Sequence, residues 1–288
     1  MKKSIATLAI ASALITLVIT VNAYAKENFT PVDNKVIEIQ RATLANNTHK
    51  NGYGPQSPRD LSEKEGDNPR IFGLAPDYTE MNLCNIHMHK NAEHKGGEFT
   101  KYAGNGDGTG YQTGFAYTGT LTSKEMQPTS NAICPSPHGG LKPGDTIELH
   151  YVHSTAQVQP GSTLGSCLGK STVNPQLRVE SQVFVLVNDD DALDFEELTE
   201  HSIEDDKYQA INLLNDTGTP IKYTGSTTGP SYNEQGSPFQ VTWSVRPKVA
   251  KVDIESVGEW CEDNVYEEDH AHGVRNLVVN PDLLSEIK

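Results

Sequence analysis

The sequence predicts a mainly β (α+β) fold, with an extended, largely antiparallel twisted central sheet, long loops and few short helices. Three observations predict it. Apolar and polar residues alternate with a period of two through much of the chain after residue 75. Clusters of Gly, Pro, Asn and Asp bound most of the alternating runs, and only one segment carries a helical pattern.

The first 25 residues, MKKSIATLAIASALITLVITVNAYA, join two lysines, an apolar run and an Ala-Tyr-Ala ending. That is the pattern of a secretory signal peptide, with cleavage expected after Ala25, and the small-x-small ending argues against an uncleaved membrane anchor. No later segment is apolar enough to span a bilayer. Residues 26–288 are expected to form a single domain, since no linker or internal repeat divides them. Residues 26–75 are polar and rich in Asn, Gly and Pro, and read as an irregular N-terminal wrap. Candidate strands follow at 82–90, 113–121, 145–153, 177–187, 221–224, 239–245 and 248–253. The helical pattern is DALDFEELTEH, 191–201. GNGDGTG, 104–110, lacks the acidic spacing of an EF-hand and reads as a hairpin connection; NDDDALDFEE, 188–197, reads as a solvated acidic surface.

The formal charge of the 288-residue chain is −15, and loss of Lys2 and Lys3 with the signal peptide takes it to −17. Such a protein repels nucleic acid and anionic membrane surfaces. The four cysteines, Cys84, Cys134, Cys167 and Cys261, all lie in the exported part without a Cys-x-x-Cys pair. In an oxidising compartment they are expected to form two disulfides, and their wide spacing argues against a zinc ribbon. Three connectivities are open. Cys84, next to a histidine cluster, could instead be a metal ligand, but an exported thiol is better read as half of a disulfide.

That cluster is CNIHMHKNAEHK, 84–95. On a strand, residues two apart point to one side, so His87 and His89 share a face while Ile86 and Met88 fill the other. A catalytic zinc takes three protein ligands and keeps a fourth position open. The best source of a third ligand is DTIELHYVH, 145–153, whose alternation sets Glu148, His150 and Val152 on one face and Leu149, Tyr151 and His153 on the other. If this strand pairs with 82–90, His150 completes the triad, and Glu148 can accept the remaining N–H of a ligating histidine.

IHMHKNAEH followed by IELHYVH resembles the zinc-binding core of the carbonic anhydrases. GPQSPRDL at 54–61, YTGSTTGP at 223–230 and VTWSV at 241–245 agree with the α-class pattern. With WCEDN at 260–264 and EEDHAHGVRNLVVNPDLL at 267–284, the set is most similar to the δ class and its bacterial relatives, in patches over roughly 54–285. The resemblance implies an α-carbonic-anhydrase-like sheet, Zn2+ held by His87, His89 and His150, and Glu148 behind a ligating histidine. It implies that Thr228 accepts the hydrogen bond of the attacking hydroxide and that Glu93 orients Thr228. Thr227 competes for that role, because the Thr-Thr pair is shifted against the family motif. Val152 would line an apolar CO2 pocket, Asn85 would take a polar position at the cavity wall, and His94 and His153 would be buried structural histidines. The segment between QSP and His87 is short, and the usual proton-shuttle histidine has no counterpart in it; His138, in SPHGG, is the candidate relay.

The expected function is therefore that of a periplasmic or secreted carbonic anhydrase (carbonate dehydratase), interconverting CO2 and bicarbonate, with a homodimer compatible. Three neutral imidazoles leave zinc its full charge, which lowers the pKa of bound water to about 7, a value known for carbonic anhydrases and not worked out from this chain. The alternative is a non-catalytic zinc-binding, carbonic-anhydrase-like adhesion protein; a weaker one is a zinc esterase. EEDHAHG, 267–273, is a second His-x-His flanked by acids, read as a hydrogen-bonded C-terminal loop, and His49 and His201 read as surface residues.

Overall fold

A computed structural model of the chain describes residues 29–172, 174–227 and 232–288. The expected signal peptide and Thr228 lie outside the described residues.

The strands are β1 (Asn82–Lys90), β2 (Lys101–Tyr102), β3 (Phe115–Ala116), β4 (Thr146–Ser154), β5 (Leu177–Val187), β6 (His201–Glu204), β7 (Lys207–Ala210), β8 (Ile221–Gly225) and β9 (Val241–Asp253). Five of them build a mixed sheet in the order β1-β4-β5-β9-β8, while β2–β3 and β6–β7 are small separate hairpins. Within the large sheet only β5 and β9 run parallel. The central strand β5 and its neighbour β4 are buried along their whole length, as strands covered on both faces must be. One face packs Ile86, Met88, Leu149, Tyr151 and Phe184 against Trp260. The other packs Val152, Val179, Val183, Tyr223 and Trp243.

Two backbone irregularities matter for the site. In β1 the register with β4 shifts between Leu83 and Asn85, leaving Cys84 as the extra residue of a β-bulge. Cys84 consequently joins the cluster of Val152 and Trp243, on the same face as Asn85, His87 and His89. In β9 the register with β5 shifts where Arg246-Pro247-Lys248 lies opposite Gln182. Pro247 lacks a ladder donor and is tolerated at this bulge, so the two runs expected at 239–245 and 248–253 form one strand.

Four other sequence expectations need correction. The N-terminal wrap contains helix α1 (Asn34–Thr48), capped by Asp33, whose carboxylate accepts from the Lys35 amide at 2.8 Å. Its buried stripe is Ile37, Gln40, Leu44 and Thr48, and half of it is polar, which hides the helical period. The strand expected at 113–121 is ordered as a ladder only at Phe115–Ala116. The helix expected at 191–201 shrinks to α2 (Phe195–Thr199), because Leu193 is drawn into a bridge with Val252 and His201 opens β6. Helix α3 (Ile254–Glu262) continues directly from β9, with Asp253 as its cap.

The disulfides are Cys84–Cys167 and Cys134–Cys261. The first removes Cys84 as a metal ligand. Among the described residues no helix is long and apolar enough to cross a membrane.

Candidate metal centre

The register of β1 on β4 pairs His87 directly with His150 and His89 with Glu148. The three expected histidines therefore converge: ring centroids lie 5.1 Å (His87–His89), 5.0 Å (His87–His150) and 4.7 Å (His89–His150) apart. One ligand nitrogen from each falls within 4.8 Å of the other two. His89 and His150 are buried, whereas His87 keeps a partly exposed edge, so the cluster is open on one side.

Hydrogen bonds fix which nitrogens face inward. His87 Nδ1 lies 2.6 Å from Asn85 Oδ1, and His89 Nδ1 lies 2.8 Å from the Gly273 carbonyl oxygen. Both partners are acceptors, so both Nδ1 atoms donate and each Nε2 retains its lone pair. His150 turns the other way. Its Nδ1 lies 3.2 Å from His87 Nε2, while its Nε2 points to Glu148 Oε1 and Glu93 Oε1 at 3.4 and 3.9 Å, without a hydrogen-bond partner. The carboxylates favour a proton on that Nε2, which leaves Nδ1 with its lone pair. Lone pairs facing at 3.2 Å repel one another unless a cation lies between them. The separation also suits zinc: for Zn–N bonds of about 2.0–2.1 Å, the edge of a tetrahedron is roughly 3.3–3.4 Å. The donor set fits a divalent metal.

Burial first, then repulsion from His150 and neighbouring imidazoles, holds the pKa of His87 and of His89 well below the ordinary value. Both rings are therefore neutral, as metal ligands must be.

Behind the triad, Glu148 accepts from the Glu93 amide at 2.6 Å and the His94 amide at 3.3 Å, from His94 Nδ1 at 2.8 Å, and from Ser181 Oγ. Burial alone would raise its pKa; the charge of His94, the His94 hydrogen bond and the nearby His150 imidazole hold it well below the carboxylate range. Burial likewise works against a charged His94, but Glu148 outweighs it and the pKa of His94 is raised. The two form a buried ion pair. His94 Nε2 continues to Tyr223 Oη at 2.7 Å, which donates to Ser57 Oγ at 3.2 Å. Trp243 closes this side, its ring 4.7 Å from His94 and 5.0 Å from His150.

The remaining expected residues fall as follows. Asn85 lies beside the triad, with its Oδ1 accepting from His87 Nδ1 at 2.6 Å. Val152 is fully buried on the triad's face of the sheet. Glu93 is buried, and burial raises its pKa. Thr227 is buried, with its carbonyl accepting from Ser237 Oγ at 2.6 Å. His153 is buried, with Nδ1 donating to the Tyr151 carbonyl at 3.1 Å. His138 stacks on Tyr111 at 3.5 Å between centroids, and a cavity of about 10 Å³ separates it from His272. His49 is exposed, while His201 is half-buried against Tyr266 Oη at 3.2 Å.

Sequence reasoning missed Gly273, Ser181, Tyr223 and the closeness of His272. The EEDHAHG segment is a hydrogen-bonded loop as expected, yet it docks on the free edge of β1, where His272 bridges His89. The His272 ring lies 5.9 Å from His87 and 6.0 Å from His89, with Nε2 2.6 Å from Glu268 Oε2. A usable signal existed for Ser181, a small polar residue on the triad's face of a strand otherwise lined there by Leu177 and valines.

No curated protein matches the chain. Among solved structures, Photobacterium profundum alpha-carbonic anhydrase is 17% identical over 86% of this chain and 96% of its own, with a TM-score of 0.27. A halotolerant carbonic anhydrase from Dunaliella salina is 16% identical over 88% and 96%, with a TM-score of 0.34. An alpha-carbonic anhydrase from Thermovibrio ammonificans, in complex with the inhibitor sulfanilamide, is 15% identical over 77% and 84%, with a TM-score of 0.27. Superpositions this loose carry no weight for the site. The family model described as delta carbonic anhydrase matches residues 78–256, a span that holds both histidine strands and the whole central sheet. On that match the chain belongs to the delta carbonic anhydrase family.

Proposed function

We propose that the protein is a zinc enzyme that reversibly hydrates CO2 to bicarbonate and a proton. The observation that carries this reading is the convergence of one imidazole nitrogen each from His87, His89 and His150 on one point with an open side. A divalent zinc held there supplies Lewis acidity that makes water acidic near neutral pH.

The chain's own residues then have separate tasks. Asn85 and the Gly273 carbonyl hold the first two rings in the required tautomer. Glu148 is the carboxylate behind His150, and it anchors His94 and the Glu93 backbone. Glu93 orients the Thr228 hydroxyl, which directs the attacking oxygen toward the carbon. Val152 and Trp243 supply apolar surface suited to CO2. His138, stacked on Tyr111 beside the small cavity it shares with His272, passes the released proton to solvent.

We assign residues 1–25 as a signal peptide removed after Ala25, residues 26–288 as one domain and the mature protein as secreted or periplasmic. Two disulfides support that compartment. Metal analysis and stopped-flow CO2 hydration on the chain beginning at Lys26 test the proposal. One zinc per chain and hydration above the buffer rate are expected. Zinc-loaded protein that does not exceed buffer refutes it.

A further inference from the structure

The Asn85 amide has two partners on opposite sides. Its Oδ1 faces His87 Nδ1 at 2.6 Å, and its Nδ2 donates to the Gly161 carbonyl at 3.0 Å. Rotating the amide by half a turn would aim Nδ2 at the imidazole. His87 Nδ1 would then have to accept, the ring proton would move to Nε2, and the nitrogen facing the other two histidines would lose its lone pair. The Gly161 carbonyl is what selects the competent orientation.

Gly161 sits in a loop with little regular structure of its own. Residues 157–166 are exposed or half-exposed and contain no strand; a short turn at Leu164–Cys167 is their only regular structure. Val158 and Leu164 pack on the core cluster of the sheet, and three further links tie the loop to it. The Gly161 amide donates to the Cys84 carbonyl at 3.1 Å, Ser154 Oγ donates to the Cys167 carbonyl at 2.7 Å, and Cys84 is joined covalently to Cys167. The bulge at Cys84 puts the half-cystine and Asn85, consecutive residues, on the same face of the sheet, so the covalent link and the amide it steadies are neighbours.

We infer that the Cys84–Cys167 disulfide is a positioning device for the metal ligand His87, acting through the Gly161 loop and the Asn85 amide to fix the ring tautomer. The inference rests on the proposed metal site. Reducing that disulfide frees the loop, lets the amide turn over and loosens the metal without touching any ligand.

The test is the rate of zinc transfer from loaded protein to an excess of a chromogenic chelator. Asn85→Ala and Cys84→Ala/Cys167→Ala should each release zinc about tenfold faster, the lower end of the range for partners of ligating histidines. Combining them should release no faster than Asn85→Ala alone, because both act on one tautomer. Cys134→Ala/Cys261→Ala should release at the wild-type rate. Multiplying effects in the combined variant, or equal acceleration in the Cys134/Cys261 control, overturns the inference. If the cysteine variant does not fold, nitrogen NMR of His87 in metal-free Asn85→Ala decides. Wild type should be protonated at Nδ1 and the variant should be a tautomer mixture; a variant still wholly Nδ1-protonated overturns the inference. A wild-type chain that takes up no zinc sinks the proposed function instead, and a wild type that holds zinc but releases it as fast as Asn85→Ala sinks only this inference.

Discussion

Replacing His153 by Asn should make the protein less sensitive to acid. The imidazole is fully buried, its Nδ1 donates to the Tyr151 carbonyl and its Nε2 has no hydrogen-bond partner. Burial is the main cause pushing its pKa down from 6.5 to about 3, with the Arg178 charge adding to it. Between those values the unfolded chain binds a proton that the folded chain refuses, so stability is lost as pH falls from 6.5 toward 3. At about 1.4 kcal/mol per unit, His153 costs on the order of 3 kcal/mol at pH 4.5 relative to neutrality. The Asn side chain keeps a donor for the Tyr151 carbonyl and does not titrate. Any cavity it leaves costs the same at every pH. Urea unfolding of both proteins at pH 7 and pH 4.5 reads the difference directly. Wild type should lose about 3 kcal/mol more than His153→Asn over that interval. Equal losses would show that the ring is hydrated or paired in the folded state, and would refute the reasoning.

Two further outcomes follow from the site. His150→Ala should remove most bound zinc and abolish CO2 hydration, whereas His270→Ala, which touches Asp269 outside the triad, should leave both near wild type; metal analysis and the hydration assay decide. Glu148→Gln should cost roughly 3–5 kcal/mol of folding stability, because it leaves the buried His94 charge without its counter-ion, and a melt no lower than wild type would contradict the ion pair.

The site was readable where it depends on period-two alternation and hidden where it depends on chain closure. His87, His89 and His150 follow from two strands whose faces can be counted, and β1 and β5 match the expected bounds residue for residue. Gly273 contributes a carbonyl, which carries no side-chain signal, and it arrives from 184 positions away. The bulge at Cys84 breaks the count just upstream of Asn85, so sequence alternation alone assigns Cys84 and Asn85 to opposite faces. Helix α1 escaped notice because Gln40 and Thr48 occupy its inner stripe, where their polar groups bond Gly108, Leu44 and Asn276. The two runs expected at 239–245 and 248–253 are one strand that only bulges at Pro247.

The docking of residues 272 and 273 along β1 sets the order in which a ribosome or an export channel can deliver a working protein. His89 has its Nδ1 acceptor only after Gly273 has emerged, and the free edge of β1 is covered only when His272 reaches it. A chain that holds both histidine strands but stops before residue 272 has an unfinished cup. Truncation before residue 272 should therefore be as harmful as removing one of the three histidines.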